Sequence, residues 1–423
     1  MTDDLVQLTP DLASLGWDEE LDRWSATVAA ELDGEPESDS ETESDSAQDR
    51  SAEGEDHDEG GSEGHGRGDQ PGPTLRPGRI AQVSRGYSLV FTGGDAILAA
   101  SASIRSTAET DPATGDFVVI DDGTDDRHED GPVLVAIAER RSALTRRAAG
   151  RVPSAQVLAA NIDDVFVMHG LDRELNIRRI ERQLVVAWQS GAEPVVVLTK
   201  ADAADDHEAA VDEVRAVAPG VEVLAVSTVS GHNLDRVAAR VARGRTVAML
   251  GLSGIGKSTL VNELTGGVVQ RTGEVRATDQ RGRHTTVTRD LIPVPDGGFM
   301  IDTPGIREIG LWQAYEGMDR TFPEIAGEVA QCRFADCDHQ AEPGCAVQAG
   351  VADGLIPPRR LEHWRDLQAE LALQEEQLEE FARRSESRDR AEAERRRDEE
   401  RSNTKRRSRA GERRKKRGGK GRR

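Results

Sequence analysis

Aromatic side chains make up only 3% of this 423-residue chain, and cysteine occurs three times. Few aromatics, together with 31% charged residues, exclude one evenly packed core: part of the chain is expected not to pack. The cysteine count excludes a disulfide framework. All three fall between residues 332 and 345, and such clustering in a cytosolic chain argues for metal. Long apolar runs are also missing. Pro194 to Leu198 and Val247 to Leu250 are far short of the ~20 residues a membrane helix needs, so no membrane association is expected. Met1 to Leu8 carries two acids and no basic residue, which excludes a secretory signal and makes the cytoplasm the expected location.

Charge is plentiful but segregated. The net charge of −23 conceals sixteen acids against Arg50 and Arg67 in residues 31–69, and twelve Lys and Arg against Glu412 in residues 405–423. Glu31 to Gln70 has almost no apolar residue and cannot offset the entropy of ordering its chain. Residues 1–75 are therefore expected to be an acidic, disordered arm, with a short helix conceivable over Asp11–Leu32.

Beyond Gly78 the texture changes. Short β-type runs at Arg79–Val83, Tyr87–Thr92, Ala96–Ala100, Phe117–Asp121 and Val133–Ile137 predict a small OB-like barrel over 76–150. From 151 to 318, apolar strands alternate with helical stretches. Asp164–Met168, Pro194–Leu198, Val221–Val226, Arg245–Leu250 and Phe299–Asp302 interleave with Asn176–Gln189, Asp205–Ala216 and Asn233–Val241, the pattern of an α/β parallel sheet. Residues 319–382 contain the cysteines and then a stripe of Leu361, Trp364, Leu367 and Leu371 at helical spacing, continued by Leu378 and Phe381. Residues 383–423 read as a charged helix running into a basic tail that is unfolded until bound.

Gly251-Leu252-Ser253-Gly254-Ile255-Gly256-Lys257-Ser258-Thr259 follows an apolar strand and opens a helical stretch. The glycines let the backbone curl so that several N–H groups face one anion, as in a phosphate-binding loop. Lys257 is expected to reach the β- and γ-phosphates, and Ser258 to ligate Mg²⁺. Asp302-Thr303-Pro304-Gly305 ends another strand: Asp302 suits an acid that holds Mg²⁺ through water, and the Gly305 N–H can meet the γ-phosphate.

Thr199-Lys200-Ala201-Asp202 resembles the [NT]-K-x-D guanine-reading element of the GTPase superfamily. A carboxylate there accepts from guanine N1–H and the exocyclic amine, a donor pair adenine does not offer. Thr199 stands where asparagine is usual, which keeps a hydroxyl but loses an amide. Ser227-Thr228 resembles the second base-contacting loop. In ordinary GTPases the phosphate loop comes first; here Lys200 precedes Lys257. A parallel sheet keeps its ligand loops at the strands' carboxyl ends, so chain order can rotate while the site survives. The chain thus looks like a circularly permuted P-loop GTPase.

With Leu158–Asp164 (LAANIDD), Arg283-His284-Thr285-Thr286, Gly310-Leu311-Trp312 and the cysteine cluster added, residues 76–380 resemble the ribosome small-subunit-dependent GTPase A family. That resemblance implies an OB-fold, a permuted GTPase domain, a C-terminal zinc domain, GTP and GDP as ligands, and late maturation of the small ribosomal subunit with contact to its rRNA. A monomer is expected. Two other classes stay open from the residues alone. A P-loop ATPase or kinase would bind ATP as well as GTP. A nucleotide-dependent RNA-binding scaffold with little catalysis of its own would keep its RNA affinity in Lys257→Ala.

Ile306 occupies the place after Gly305 where many GTPases carry the glutamine that orients water. His284 is therefore the candidate catalytic residue, and Thr286, or alternatively Thr285, the candidate Mg²⁺ ligand. Cys332-x₄-Cys337-x-His339-x₅-Cys345 offers three thiolates and an imidazole, a closed tetrahedral set suited to one structural Zn²⁺, with His363 a weaker fourth choice. The basic tail has the charge density of a phosphate-backbone binder, without aromatics to stack on bases.

Overall fold

The computed structural model describes residues 10–33, 74–101, 105–106, 111–122, 131–147, 155–267, 290–295, 297–302 and 311–418. The expected disorder of residues 34–73 and the stretches bearing His284, Thr285, Thr286 and Gly305 lie outside them.

The chain begins with a surprise against its charge pattern. Within the stretch assigned to a disordered arm, the short helix placed over Asp11–Leu32 is present as α1 (Glu19–Asp33), and with the turn before it is docked on the body. Leu15, Trp17 and Leu21 are buried, and Trp17 packs edge-on against Phe117 with centroids 5.8 Å apart. The correction has a simple cause: two Trp and two Leu in a short stretch outweigh the flanking acids once a matching apolar surface exists.

Strands β1 (Leu75–Ser84), β2 (Tyr87–Phe91), β3 (Ala96–Ala100), β4 (Arg105–Ser106), β5 (Phe117–Asp121) and β6 (Val133–Ile137) form one sheet in the order β3-β2-β1-β5-β6-β4. A further β3–β6 pairing, Ala100 with Val133, closes it into the OB-like barrel. A hairpin of β7 (Ala143–Arg147) and β8 (Ala155–Ala160), which the pattern analysis missed, leads out of the barrel. One buried guanidinium ties the junction together. Arg79 donates to Leu15 O (2.8 Å), Asn161 O (2.8 Å) and Gly115 O (3.1 Å), joining the docked segment, the hairpin's exit and the barrel.

A second sheet holds β9 (Asp164–Gly170), β10 (Glu193–Thr199), β11 (Glu222–Ala225), β12 (Thr246–Leu250), β13 (Leu291–Pro293) and β14 (Phe299–Asp302) in the order β11-β10-β9-β12-β14-β13. All neighbours are parallel except β13, which runs antiparallel to β14. Helices α2 (Ile177–Gln189), α3 (His207–Arg215), α4 (Leu234–Arg240) and α5 (Lys257–Leu264) cover it. Alternate residues feed two cores: Val165 and Val167 face one, Phe166 and Met168 the other. Burial on both faces explains why these strands read as continuous apolar runs. Asn176 and Asp206 cap α2 and α3 by accepting from the N–H three residues on, which sets the helix starts.

Helices α6 (Tyr315–Thr321), α7 (Pro323–Val329) and α8 (Ala346–Ala352) and the 61-residue α9 (Pro358–Gly418) complete the chain. The expected boundary at 318 falls inside α6, which lies so close to α2 that a Cβ on Gly317 would sit 2.1 Å from Val185 O. The stripe on α9 packs as its spacing predicts: Leu361, Trp364, Leu367 and Leu371 are buried, and Leu378 and Phe381 half-buried. Arg178 and Arg182 on α2 pair with Glu362, Asp366 and Glu370 beside it. Where an unfolded basic tail is expected, α9 stays helical to Gly418; Arg, Lys, Glu and Ala fill most of residues 404–418, and all but Thr404, Ser408, Gly411 and Gly418 favour helix. Among the described residues, no helix is long and apolar enough to cross a membrane.

Candidate nucleotide site and metal centre

Every parallel strand delivers its carboxyl end to one edge of the second sheet. Asp172 follows β9, Lys200 and Asp202 follow β10, Ser227 follows β11, the phosphate loop follows β12, and Asp302 closes β14 beside Met249. These pieces come from residues 172 to 302, yet adjacent strands bring them together.

The phosphate loop is built around missing side chains. A Cβ on Gly251 would lie 2.2 Å from Ile255 Cδ1 and 2.8 Å from Met168 O. Gly254 and Gly256 take φ of +80° and +103°, backbone that other residues rarely adopt. Lys257 Nζ donates to Gly251 O (3.0 Å) and Leu252 O (2.8 Å), curling the loop round the ammonium. Burial lowers the Lys257 pKa and the Asp302 carboxylate opposes that shift, so the two groups sense each other across the loop. Ser258 is half-buried, and Ser253 and Thr259 are exposed.

The Thr199–Asp202 segment is tied to this loop twice. Thr199 Oγ1 donates to Ile255 O and lies 3.2 Å from His169 O. The hydroxyl thus supplies the tether that the loss of asparagine puts in question. Lys200, at φ +59°, donates from Nζ to Gly254 O (2.8 Å) and to Asp172 Oδ2 (2.7 Å). Hydrogen bonds from Arg173 and then Lys200 hold the Asp172 carboxyl well below the usual carboxylate range. Asp172 was not picked out from the sequence; its only signal there is an acid two residues past an apolar strand. Asp202 is oriented by Ser227, whose hydroxyl donates to Oδ1 at 2.5 Å while accepting from the Val229 and Ser230 N–H groups. The Ala201 N–H bonds Val226 O at 3.0 Å, pinning the loops after β10 and β11 together, with Thr228 in the turn that follows Ser227. Thr199→Val is expected to weaken GDP binding several-fold, about 1 kcal/mol for one buried hydrogen bond, measurable by calorimetry; unchanged affinity would show that the tether is idle.

The second cluster lies in the loop between α7 and α8. The ligand atoms of Cys332, Cys337, His339 and Cys345 all lie within 4.8 Å of one another. Cys332 and Cys345 sulfurs are 3.9 Å apart, and His339 Nδ1 is 3.5 Å and 3.7 Å from them. Tetrahedral zinc at its usual bond lengths would separate two sulfurs by about 3.8 Å and sulfur from nitrogen by about 3.6 Å. The residues therefore fit such an ion, and the cluster can hold a metal. His339 is fixed by its neighbours: its carbonyl accepts from Gln348 Nε2 (2.6 Å) and from Arg365, and its ring meets Trp364 edge-on at 5.6 Å. His363 is no ligand. Its Nδ1 faces Glu181 Oε2 at 2.5 Å, in a buried network with Arg360, which bonds the other Glu181 oxygen at 2.8 Å.

A parallel sheet with base-reading loops before the phosphate loop, a barrel ahead of it and a Cys₃His module behind it defines a circularly permuted GTPase. The sequence profile of a family described as RsgA GTPase matches residues 137–312. A protein of Methanosarcina acetivorans named small ribosomal subunit biogenesis GTPase RsgA is 40% identical over 302 residues, 71% of this chain and 81% of that protein. One of the same name from Streptomyces coelicolor is 44% identical over 303 residues, 70% and 80% of the two chains. The chain belongs to the RsgA GTPase family. Among solved structures, YjeQ from Thermotoga maritima matches with a TM-score of 0.52 at 25% identity, over 70% of this chain and 99% of that one. YloQ, described as a circularly permuted GTPase, shares the fold at a TM-score of 0.51 and 22% identity, over 71% and 96%.

Proposed function

We propose that this GTPase acts in late maturation of the small ribosomal subunit, with hydrolysis stimulated by the subunit and coupled to its binding and release. The observation that carries the nucleotide part is the double tether of Thr199 and Lys200 to the phosphate loop. It supports a reading in which Asp202 and Lys257 work on opposite ends of one guanosine phosphate. The subunit comes from the names of the relatives, which are small ribosomal subunit biogenesis GTPases.

In this reading Asp202 accepts from the guanine, with Thr199, Lys200, Ala201, Ser227 and Thr228 framing the base. Residues 251–259 wrap the phosphates through their N–H groups, Lys257 supplies positive charge, and the Gly305 N–H meets the γ-phosphate. Mg²⁺, when bound with GTP, would be held by Ser258, Thr286 and Asp302 and would offset charge on the transferred phosphoryl group. His284 orients the attacking water, because Ile306 cannot. The metal in the Cys₃His cluster is zinc and structural, since four protein ligands leave no open position. The basic tail, twelve Lys and Arg over residues 405–423, contacts rRNA phosphates. The protein works as a monomer in the cytoplasm, away from membranes.

The test is GTP turnover with and without purified small subunits. Stimulation is expected in the wild type. His284→Ala is expected to keep its nucleotide affinity and lose stimulated turnover by roughly a hundredfold or more. An unstimulated wild type would refute the ribosomal role, and an unimpaired variant would refute the histidine's.

A further inference from the structure

The turn after β9 sets one carboxylate against the phosphate loop, and three local features hold it there. Leu171 keeps step with β10 for one residue past the strand: its N–H donates to Thr199 O at 2.9 Å, and its side chain is buried in the main core. Asp172 and Lys200 thus leave adjacent strand ends side by side. Gly170 supplies the room. A Cβ there would lie 2.6 Å from Asp172 Oδ1 and 3.8 Å from Ile255 Cα, so the carboxylate takes the space that a side chain at 170 would fill. Arg173 supplies a counter-charge: its Nε donates to Oδ1 and its Nη2 to Oδ2, both at 3.1 Å.

Lys200 gains most from this arrangement. Its ammonium has three donors, and the phosphate loop offers it one neutral acceptor, Gly254 O at 2.8 Å. Asp172 Oδ2, at 2.7 Å, is the second acceptor and is charged. Fixing a lysine costs rotamer freedom, which a single neutral bond offsets poorly. The ion pair adds little stability by itself, because the two side chains are 34% and 30% exposed. What it sets is direction: the Lys200 stem is held stretched from the end of β10 to the phosphate loop.

An acid this close to a phosphate-binding loop would ordinarily repel the ligand. Here one carboxylate carries two cations, so the group as a whole stays positive. Hydrogen bonds from Arg173 and then Lys200 keep that carboxyl ionised at neutral pH. Two effects therefore compete when Asp172 is removed. Loss of a negative charge would tighten the binding of an anion. Loss of the Lys200 anchor would loosen it. The two effects have opposite signs, so a measurement tells them apart.

We propose that Asp172 is a positioning residue for nucleotide binding, acting through Lys200 to slow the release of guanine nucleotides. This deepens the assignment made above and rests on Lys200 lying beside the bound nucleotide. Gly170 belongs to the same device, because only a residue without a side chain leaves the carboxylate its seat.

The test follows release of a fluorescent GDP analogue from the full chain by stopped flow. Asp172→Ala is expected to release it about tenfold faster, the low end for one hydrogen bond to a charged group because the pair is partly exposed, with association changed less than about twofold. Asp172→Asn keeps an acceptor without the charge and is expected to fall between Asp172→Ala and wild type. Gly170→Ala keeps the carboxylate but displaces it, and is expected to release GDP faster as well. Added to Lys200→Ala, Asp172→Ala should change nothing further, as for two residues acting through one contact. Wild-type or slower release in Asp172→Ala, or defects that multiply in the double variant, would overturn the proposal. So would a melting temperature without nucleotide that falls in Asp172→Ala, since the residue would then serve the fold. A Lys200→Ala protein with wild-type release would overturn the role given to Lys200 above and this proposal with it. A defect in Lys200→Ala without one in Asp172→Ala would overturn this proposal alone.

Discussion

Asp202→Asn is expected to lower affinity for GTP and GDP by about a hundredfold to a thousandfold, roughly 3–4 kcal/mol. In the proposed reading the carboxylate presents two acceptors to two donors on the guanine edge. The amide keeps one acceptor and turns an N–H₂ toward the base, so one charge-assisted hydrogen bond is lost and one donor is left facing another. The fold should survive, because the amide oxygen can still accept from Ser227, which bonds Asp202 in the native chain. A base with an oxygen in place of the exocyclic amine reverses the penalty. Xanthosine diphosphate is therefore expected to bind the variant better than GDP does. Titration with both nucleotides reads the result directly. Equal GDP affinity in variant and wild type would mean that Asp202 does not read the base, and the assignment of the whole edge would fall with it.

Removing the proposed zinc should be equally damaging to the C-terminal module. Three sulfurs and an imidazole are gathered into a space that suits one cation, and Cys345 is 5% exposed, packed in the main core. Its sulfur also accepts from the Gln348 N–H and so caps α8. Burial, followed by the neighbouring sulfurs, pushes the Cys337 thiol up to about 12, and burial lowers His339. Without a cation, at least one sulfur stays protonated and the cluster loses its organising charge. Stripping with a strong chelator, or Cys345→Ser, is expected to lower the melting temperature by on the order of 10 °C, corresponding to several kcal/mol. Added zinc should restore the stripped wild type and not the variant. Because ligation displaces protons from thiols and competes with protonation of His339, metal affinity should fall as pH drops from 8 to 6. A melting curve indifferent to chelator would show that packing alone holds the module.

How far the chain could be read depended on how local each feature is. The phosphate loop, the Thr199–Asp202 element and the cysteine cluster are contiguous, and their chemistry is set by residue type and spacing. The strands of the second sheet were visible because burial on both faces leaves them almost purely apolar. The docking of residues 10–33 was hidden by acidic flanks. Asp172 looked like an ordinary loop acid, and its bond to Lys200 spans 28 positions in the chain. The Gln82–Asp290 contact spans 208 positions and depends on a one-residue bulge that no hydrophobic pattern announces.

The sequence by itself determined the chemistry available: a glycine-lined phosphate loop, an acid suited to guanine, a closed metal set, and the permuted order in which they occur. These follow from side-chain type and short-range spacing, which a linear string preserves. Tertiary structure alone decided which side chains serve those groups. Thr199 became the tether, Asp172 the anchor of Lys200, Arg79 the knot at the barrel's base, and Gln82 the barrel's bond to Asp290 at the second sheet. Each of these roles needs two segments distant in the chain to meet at hydrogen-bond distance, and only the packing of sheet on barrel brings them there.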